Sequence, residues 1–259
     1  MRDQGLSEAF RAAGGISELA RRLGIAQPSV SNWVRVPSER VLAVESATGV
    51  RREVLRPDLY QPRTAASMNV DDVDRARAQE YALLALLLSR APADELLRRL
   101  ARLQVDASPL GLAHAALAEA ARATDAKQVG REYFDLFIGL GRGELLPYGS
   151  YYLTGFLHER PLARLRGDLA AIGIARADDN PEPEDHAATL CEIMSGLISG
   201  DFPAPAGSDR QLFDKHMAPW IGRFFADLER AEAAKFYRAV GTLGRTFIEI
   251  ETQAFALPS

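Results

Sequence analysis

The stretch DNPEPEDHAATLCEIM, residues 179–194, gathers five carboxylates (Asp179, Glu182, Glu184, Asp185, Glu192) and His186 around the start of an apolar run. Three kinds of chemistry suit that mixture. A carboxylate beside an imidazole poises a general base. Carboxylates and a histidine can share a metal ion. Acids ahead of an apolar run can also stabilise a helix N-terminus. The rest of the chain narrows the choice. It has no nucleophile motif, and its histidines (His114, His158, His186, His216) lack paired metal-ligand spacing. The glycines of GLGRGE, residues 139–144, follow no strand, so a phosphate-loop reading is weak. A hydrolase needs a nucleophile near a poised base, and only the Glu182–His186 pair comes near that. The expectation is no enzyme, no metal and no cofactor.

The element that must carry the cluster reads as a helix over residues 183–199, with Pro183 opening it. Leu190, Ile193, Met194, Leu197 and Ile198 form its apolar stripe. Glu184 and Asp185 then fall in the first turn, where each favours the helix dipole by about 0.3–1 kcal/mol. That leaves Glu182 and His186, four apart, with His186 in line with the stripe. Their pairing fits a core hydrogen bond or a ligand contact. Two further stretches stand out. LLPYGSYYLTGFL, residues 145–157, sets Tyr148, Tyr151 and Tyr152 beside Gly149, Ser150 and Gly155. FDKHMAPWIGRFF, residues 213–225, puts His216, Trp220 and Phe224 on one helical face, with Pro219 as a kink. Such aromatics serve a core, or a surface apolar at one end and wet at the other.

All 259 residues read as helical segments and connectors, with no convincing strand. Candidate helices lie near 70–90, 93–104, 110–124, 127–141, 147–158, 160–173, 183–199, 209–229 and 231–256. The fold class expected is all-α. The single cysteine, Cys191, excludes an internal disulfide. The N-terminal residues lack the apolar segment of a secretory signal, and the run YALLALLL is too short to cross a bilayer. A cytoplasmic location is expected. The formal charge of −4 is uneven. Residues 1–63 hold ten arginines and seven carboxylates, a balance of +3, which leaves −7 for residues 64–259. RPDLYQPRTAASMN, residues 56–69, interrupts the helical pattern with two prolines. The expected division is therefore a basic head, 1–63, and an acidic body, 64–259.

The head carries ISELARRLGIAQPSVSNWVR, residues 16–35, with the mechanics of a helix-turn-helix. Leu19 and Leu23 face inward, Ala20 permits a close crossing, and Gly24 ends the first helix. Ile25 fills the turn, Pro28 starts the second helix, and Val30 and Trp33 face the first. In DNA recognition the second helix enters the major groove. The residues then offered to bases are Gln27, Ser29, Ser31, Asn32 and Arg35. Glutamine and asparagine can bond adenine bidentately, and arginine guanine. The other reading is a helical hairpin with those polar groups solvated. With the tail that follows (Pro37, Glu45, Thr48, Gly49, Arg52, Leu55, Arg56, Pro57, Asp58), residues 5–60 resemble the Cro-type, YdaS-like DNA-binding domains. The link after Trp33 is shorter than that pattern has.

PYGSYYL, then EPEDH, then H…PW, in that order and spacing, make residues 75–255 similar to the TorD/DmsD family of redox-enzyme maturation chaperones. The resemblance implies an all-helical cytoplasmic protein. Such proteins bind the twin-arginine signal peptide of a molybdenum or tungsten oxidoreductase and assist cofactor insertion before export. It also implies a peptide site formed by Tyr148, Ser150, Tyr152, Glu182, Pro183, Asp185, His186, His216 and Trp220. Carboxylates would take the arginine forks and the aromatics the apolar segment, as a helix or an extended strip. The partners implied are the signal peptide and the apo-enzyme, with duplex DNA at the head and a homodimer as further possibilities. The alternative function is a transcription regulator whose chaperone-like body acts as a sensor.

Overall fold

The computed structural model describes residues 3–56, 65–103, 106–175 and 182–256, and every described element is a helix. The chain divides into two compact units, Met1–Asp71 and Asp72–Ser259. The expected boundary, 63/64, falls among residues 57–64, which are outside the described residues.

The first unit is built from α1 (Gln4–Ala13), α2 (Ile16–Leu23), α3 (Gln27–Ser31), α4 (Val41–Thr48) and α5 (Arg52–Leu55), with one 3-10 turn at Ser38–Arg40. Its core closes on Leu6, Leu19, Ala20, Val30, Val41, Val44 and Leu55. Gly24 adopts φ 66°, the left-handed conformation that ends α2 cheaply only without a Cβ. The TG…R…LR tail is a set of internal fastenings. Thr48 Oγ1 donates to the Val44 carbonyl, the Glu45 carboxylate accepts from the Arg52 backbone N–H, and the buried Arg56 donates to the Val36 carbonyl at 2.7 Å. Pro57 and Asp58 lie outside the described residues.

The helix α6 (Ala65–Ser89) leads into the second unit. There follow α7 (Asp94–Leu100), α8 (Pro109–Arg122), α9 (Ala126–Tyr133), α10 (Gly149–Thr154), α11 (Arg160–Ala171), α12 (Ala187–Ser199), α13 (Ser208–Leu212), α14 (Ile221–Arg230) and α15 (Phe236–Ala256). α9 and α13 each run on into a wider π-helical turn, Phe134–Ile138 and Phe213–Met217. α15 is the spine. It buries Tyr237, Val240, Leu243, Phe247 and Ile248, and packs on α8 and α14. Carboxylates from distant segments tie its two ends. Glu132 accepts from the backbone N–H groups of Lys235, Phe236 and Tyr237 at 2.7–3.1 Å, satisfying donors that a helix start leaves open. At the other end Glu251, 1% exposed, meets Arg77 of α6 through both carboxylate oxygens, at 2.8 and 2.9 Å.

Three sequence expectations change. The helix placed at 183–199 starts at Ala187, because His186 is its cap. The helix placed at 147–158 is Gly149–Thr154, closed by Gly155 at φ 83°. The span 209–229 is not one kinked helix. It is interrupted between Met217 and Ile221, where Pro219 lacks an N–H to continue the ladder.

Candidate functional site

The PYGSYY and EPEDH stretches meet edge to edge. Gly149 N–H donates to the Asp185 carbonyl at 2.9 Å and Ala187 N–H to the Pro147 carbonyl at 2.8 Å, a two-bond antiparallel bridge centred on Tyr148 and His186. Side chains lock the bridge. Asp185 Oδ2 accepts from Ser150 N–H at 2.7 Å, so α10 takes its cap from a residue 35 positions away. Tyr148 Oη donates to Glu182 Oε2 at 2.7 Å, and the Tyr148 ring meets His186 edge to face at 5.0 Å. His186 Nδ1 accepts from Ala188 N–H at 3.1 Å, capping α12. Its Nδ1 is therefore unprotonated, and burial holds the imidazole below its ordinary pKa against the pull of Glu182 and Asp185. Burial first, then Glu182, push the Tyr148 phenol up, which keeps it a donor.

The first-turn role expected for Glu184 and Asp185 is thereby corrected. Both precede α12 and serve other elements. Glu184 accepts from Arg166 Nε of α11 at 2.8 Å, and Asp185 caps α10. Asp185 is 3% exposed and Ser150 fully buried, and Asp185 Oδ1 and Ser150 Oγ have no hydrogen-bond partner within the chain. Pro183 sits in the turn that closes on His186, whose N–H donates to the Pro183 carbonyl.

Trp220 is also corrected. It is 1% exposed, with its indole N–H donating to the His216 carbonyl, a packed position rather than an exposed groove wall. It lies under α10. A Cβ on Gly149 would stand 3.0 Å from Trp220 Nε1, a tight contact that glycine avoids where the α10 backbone rests on the indole. The indole also stacks on Tyr152 at 5.4 Å. The third motif therefore supports the first from below. His216 belongs elsewhere. Its Nε2 lies 2.8 Å from Asp168 of α11, and this contact holds the Asp168 carboxyl below its usual range.

Beside the bridge runs a trough of about 610 Å³ between α6 and α12. Its walls carry small residues at helical spacing, Ala82, Ala85 and Ser89 on one side and Ala188, Ser195 and Gly196 on the other. Glu182 and His186 stand at the end nearest the α12 cap, Glu192 along its length, and Asp201 and Phe202 at the far end. Among the described residues no lysine or arginine lines it. Glu192, Asp201 and Phe202 are absent from the sequence-derived site. The signal available for them was the recurrence of small residues on two helices, which marks room for something to pack. Among the described residues no group of three or more metal-ligating side chains gathers, and no helix is long and apolar enough to cross a membrane.

In the head, Gln27, Ser29, Asn32 and Arg35 are exposed and Ser31 is half-buried. The second helix is shorter than the motif suggests. α3 ends at Ser31 with Asn32 as its C-cap, so Arg35 stands on the connector rather than on the helix.

Residues 103–226 match the profile of the family described as nitrate reductase delta subunit, and residues 6–64 that of the family described as bacterial toxin YdaS. The chaperone protein TorD of Aliivibrio fischeri is 26% identical over 139 residues, covering 50% of this chain and 65% of the relative. That of Vibrio cholerae is 25% identical over 131 residues, covering 47% and 60%. The chain thus spans less than two thirds of the length of these relatives. A solved structure from Archaeoglobus fulgidus, assigned to redox enzyme maturation, aligns with a TM-score of 0.45 at 18% identity, over 67% of this chain and 93% of that one.

Proposed function

We propose that this chain, a TorD-like helical body joined to a YdaS-like helix-turn-helix head, is a maturation chaperone for a molybdenum or tungsten oxidoreductase. In this reading the body, residues 64–259, holds the enzyme's twin-arginine signal peptide in the trough between α6 and α12 and assists cofactor insertion before export. The observation that carries it is the acid-lined trough of small residues beside the Tyr148–His186 bridge. A helical peptide fits walls built from alanine, serine and glycine, because small side chains let backbones approach. Glu182, Glu192 and Asp201 supply carboxylates for guanidinium forks, which arginine fills bidentately and lysine does not. Tyr148, Pro183 and His186 shape the arginine end. Ser150, Asp185, Tyr152 and Trp220 act from beneath, by fixing α10.

The test is calorimetric titration of the full chain with a synthetic peptide carrying two consecutive arginines followed by an apolar segment. Glu182→Gln and Glu192→Gln should each weaken binding by about 1–3 kcal/mol, as for loss of a hydrogen bond to a charged group. Replacing both peptide arginines with lysine should weaken it as well. Unchanged affinity in both carboxylate variants, with a peptide that does bind, rejects the trough as the site.

The head, residues 1–63, has the exposed set for reading a duplex: Gln27, Ser29, Asn32 and Arg35, with Ser31 at their edge. Five helical residues reach few bases, so a pair of heads reading two half-sites gives the specificity that one lacks. Asn32→Ala with Arg35→Ala should abolish sequence-specific duplex binding and leave the melting temperature unchanged. Equal affinity for random and selected duplexes, with one salt slope, removes the DNA role. The regulator reading uses the same two sites. It becomes the better one if the arginine peptide changes the chain's duplex affinity.

A further inference from the structure

α10 has a second face, turned away from the bridge, and it borders a separate cleft of about 420 Å³ lined by Arg142, Tyr151, Tyr152, Leu153 and Arg223. Two successive tyrosines of one helix each carry a stacked guanidinium. Arg142 lies over the Tyr151 ring at 5.3 Å and donates to its hydroxyl at 2.7 Å. Arg223 lies over the Tyr152 ring at 5.3 Å and donates to the Tyr152 carbonyl at 3.0 Å. A guanidinium has five N–H donors, so each arginine keeps most of its donors after these contacts. The acids on the same wall are engaged elsewhere. Glu144 accepts from the backbone N–H groups of Glu232 and Ala233, and Asp227 from the Tyr152 hydroxyl. Among the described residues neither arginine forms an ion pair with a carboxylate.

We infer that this cleft binds a small phosphate-bearing molecule, with Arg142 and Arg223 as a paired clamp on the phosphate. Stacking fixes both forks in advance, which lowers the ordering cost of capturing an oxyanion. Two guanidinium forks suit a tetrahedral dianion with several oxygens better than a carboxylate, which one fork already fills. Leu145, Leu146 and Leu153 give the cleft an apolar side where a ring or hydrocarbon portion of the ligand would rest. Glu144 and Asp227 share the cleft, so what it offers a phosphate is the N–H donors left on Arg142 and Arg223 while both acids are held by other groups.

The test is a phosphorus NMR titration of the full chain with phenyl phosphate and with inorganic phosphate, and a proton NMR titration with benzoate, all at constant ionic strength. Phenyl phosphate should saturate the protein, inorganic phosphate should compete with it more weakly, and benzoate should bind least. Arg142→Gln and Arg223→Gln should each weaken phenyl phosphate binding by roughly tenfold, the scale of one charge-assisted contact. Arg142 sits on an exposed loop and touches α10 only through the Tyr151 side chain, so its variant leaves the α10 backbone contacts in place. Affinity unchanged in the Arg142 variant, benzoate binding as tightly as phenyl phosphate, or no saturation at millimolar ligand overturns the inference. Neither arginine has a part in peptide binding in the trough, so the two proposals fail independently.

Discussion

Arg77→Met should destabilise the body by about 3–5 kcal/mol, the range for removing one partner of a buried ion pair. The Glu251 carboxylate is 1% exposed, and both its oxygens take parallel N–H groups from Arg77. Tyr81 Oη adds a third donor at 3.1 Å. Without the guanidinium the carboxylate keeps the tyrosine alone, in a site too dry to solvate it. Burial and Glu251 already drive the Tyr81 phenol far above its ordinary pKa, which marks how dry the site is. Arg77 also contacts Asp74 at 2.9 Å and lies over the Phe255 ring at 5.0 Å, so packing adds to the loss. The double variant Arg77→Met, Glu251→Leu should recover most of it, because burying no charge costs less than burying half a pair. Urea unfolding of the parent and the two variants checks this. A single variant within about 1 kcal/mol of the parent would show that the pair is solvated after all.

Asp185→Ala should cost about 1–3 kcal/mol and weaken peptide binding along with stability, whereas Asp185→Asn should keep most of both. The reason is the bond that Asp185 makes. Its Oδ2 accepts from Ser150 N–H, and an asparagine carbonyl can accept the same N–H. Alanine cannot, so α10 loses its cap, and Tyr148, one residue before α10, loses its fixed aim at Glu182. Glu182→Gln should do the reverse and lower affinity while the melting temperature holds. Calorimetry and thermal melts on the same three variants separate positioning from contact. If Asp185→Asn loses as much affinity as Glu182→Gln at unchanged melting temperature, Asp185 touches the peptide and its burial here describes only the empty protein.

The sequence made some of this legible and hid the rest for physical reasons. Helical periodicity reported the apolar stripes faithfully. Leu190, Ile193 and Met194 are buried as their spacing requires. In the head, Leu19, Ala20, Gly24 and Val30 fill the places that a helix-turn-helix assigns them, because each demand there is local. The failures all concern partners far along the chain. Glu184 and Asp185 look like first-turn acids, since the apolar run follows directly, yet they serve elements 18 and 35 residues back. Trp220 looks like a groove aromatic at helical spacing, and nothing local reveals that Gly149 will rest on it. The trough was hardest to see. It is defined by side chains that stop short, and alanines on separate helices give no pattern until the helices face each other.

The long-range fastenings also set an order of events during synthesis. The head is tied within itself by links that span at most a few dozen residues, such as Arg56 to Val36. It can fold while most of the chain is still unmade, as N-terminal units do. The body has short links too, such as Glu80 to His114, but others close late. Helix α10 has no cap until Asp185 has emerged, Glu132 waits 103 residues for Lys235 at the start of α15, and Arg77 stays without Glu251 for 174 residues. A ribosome pausing anywhere before α15 therefore carries a finished head and an open body. The first surface able to find a partner is the head's, and the trough's lining is complete only once the chain has passed Phe202.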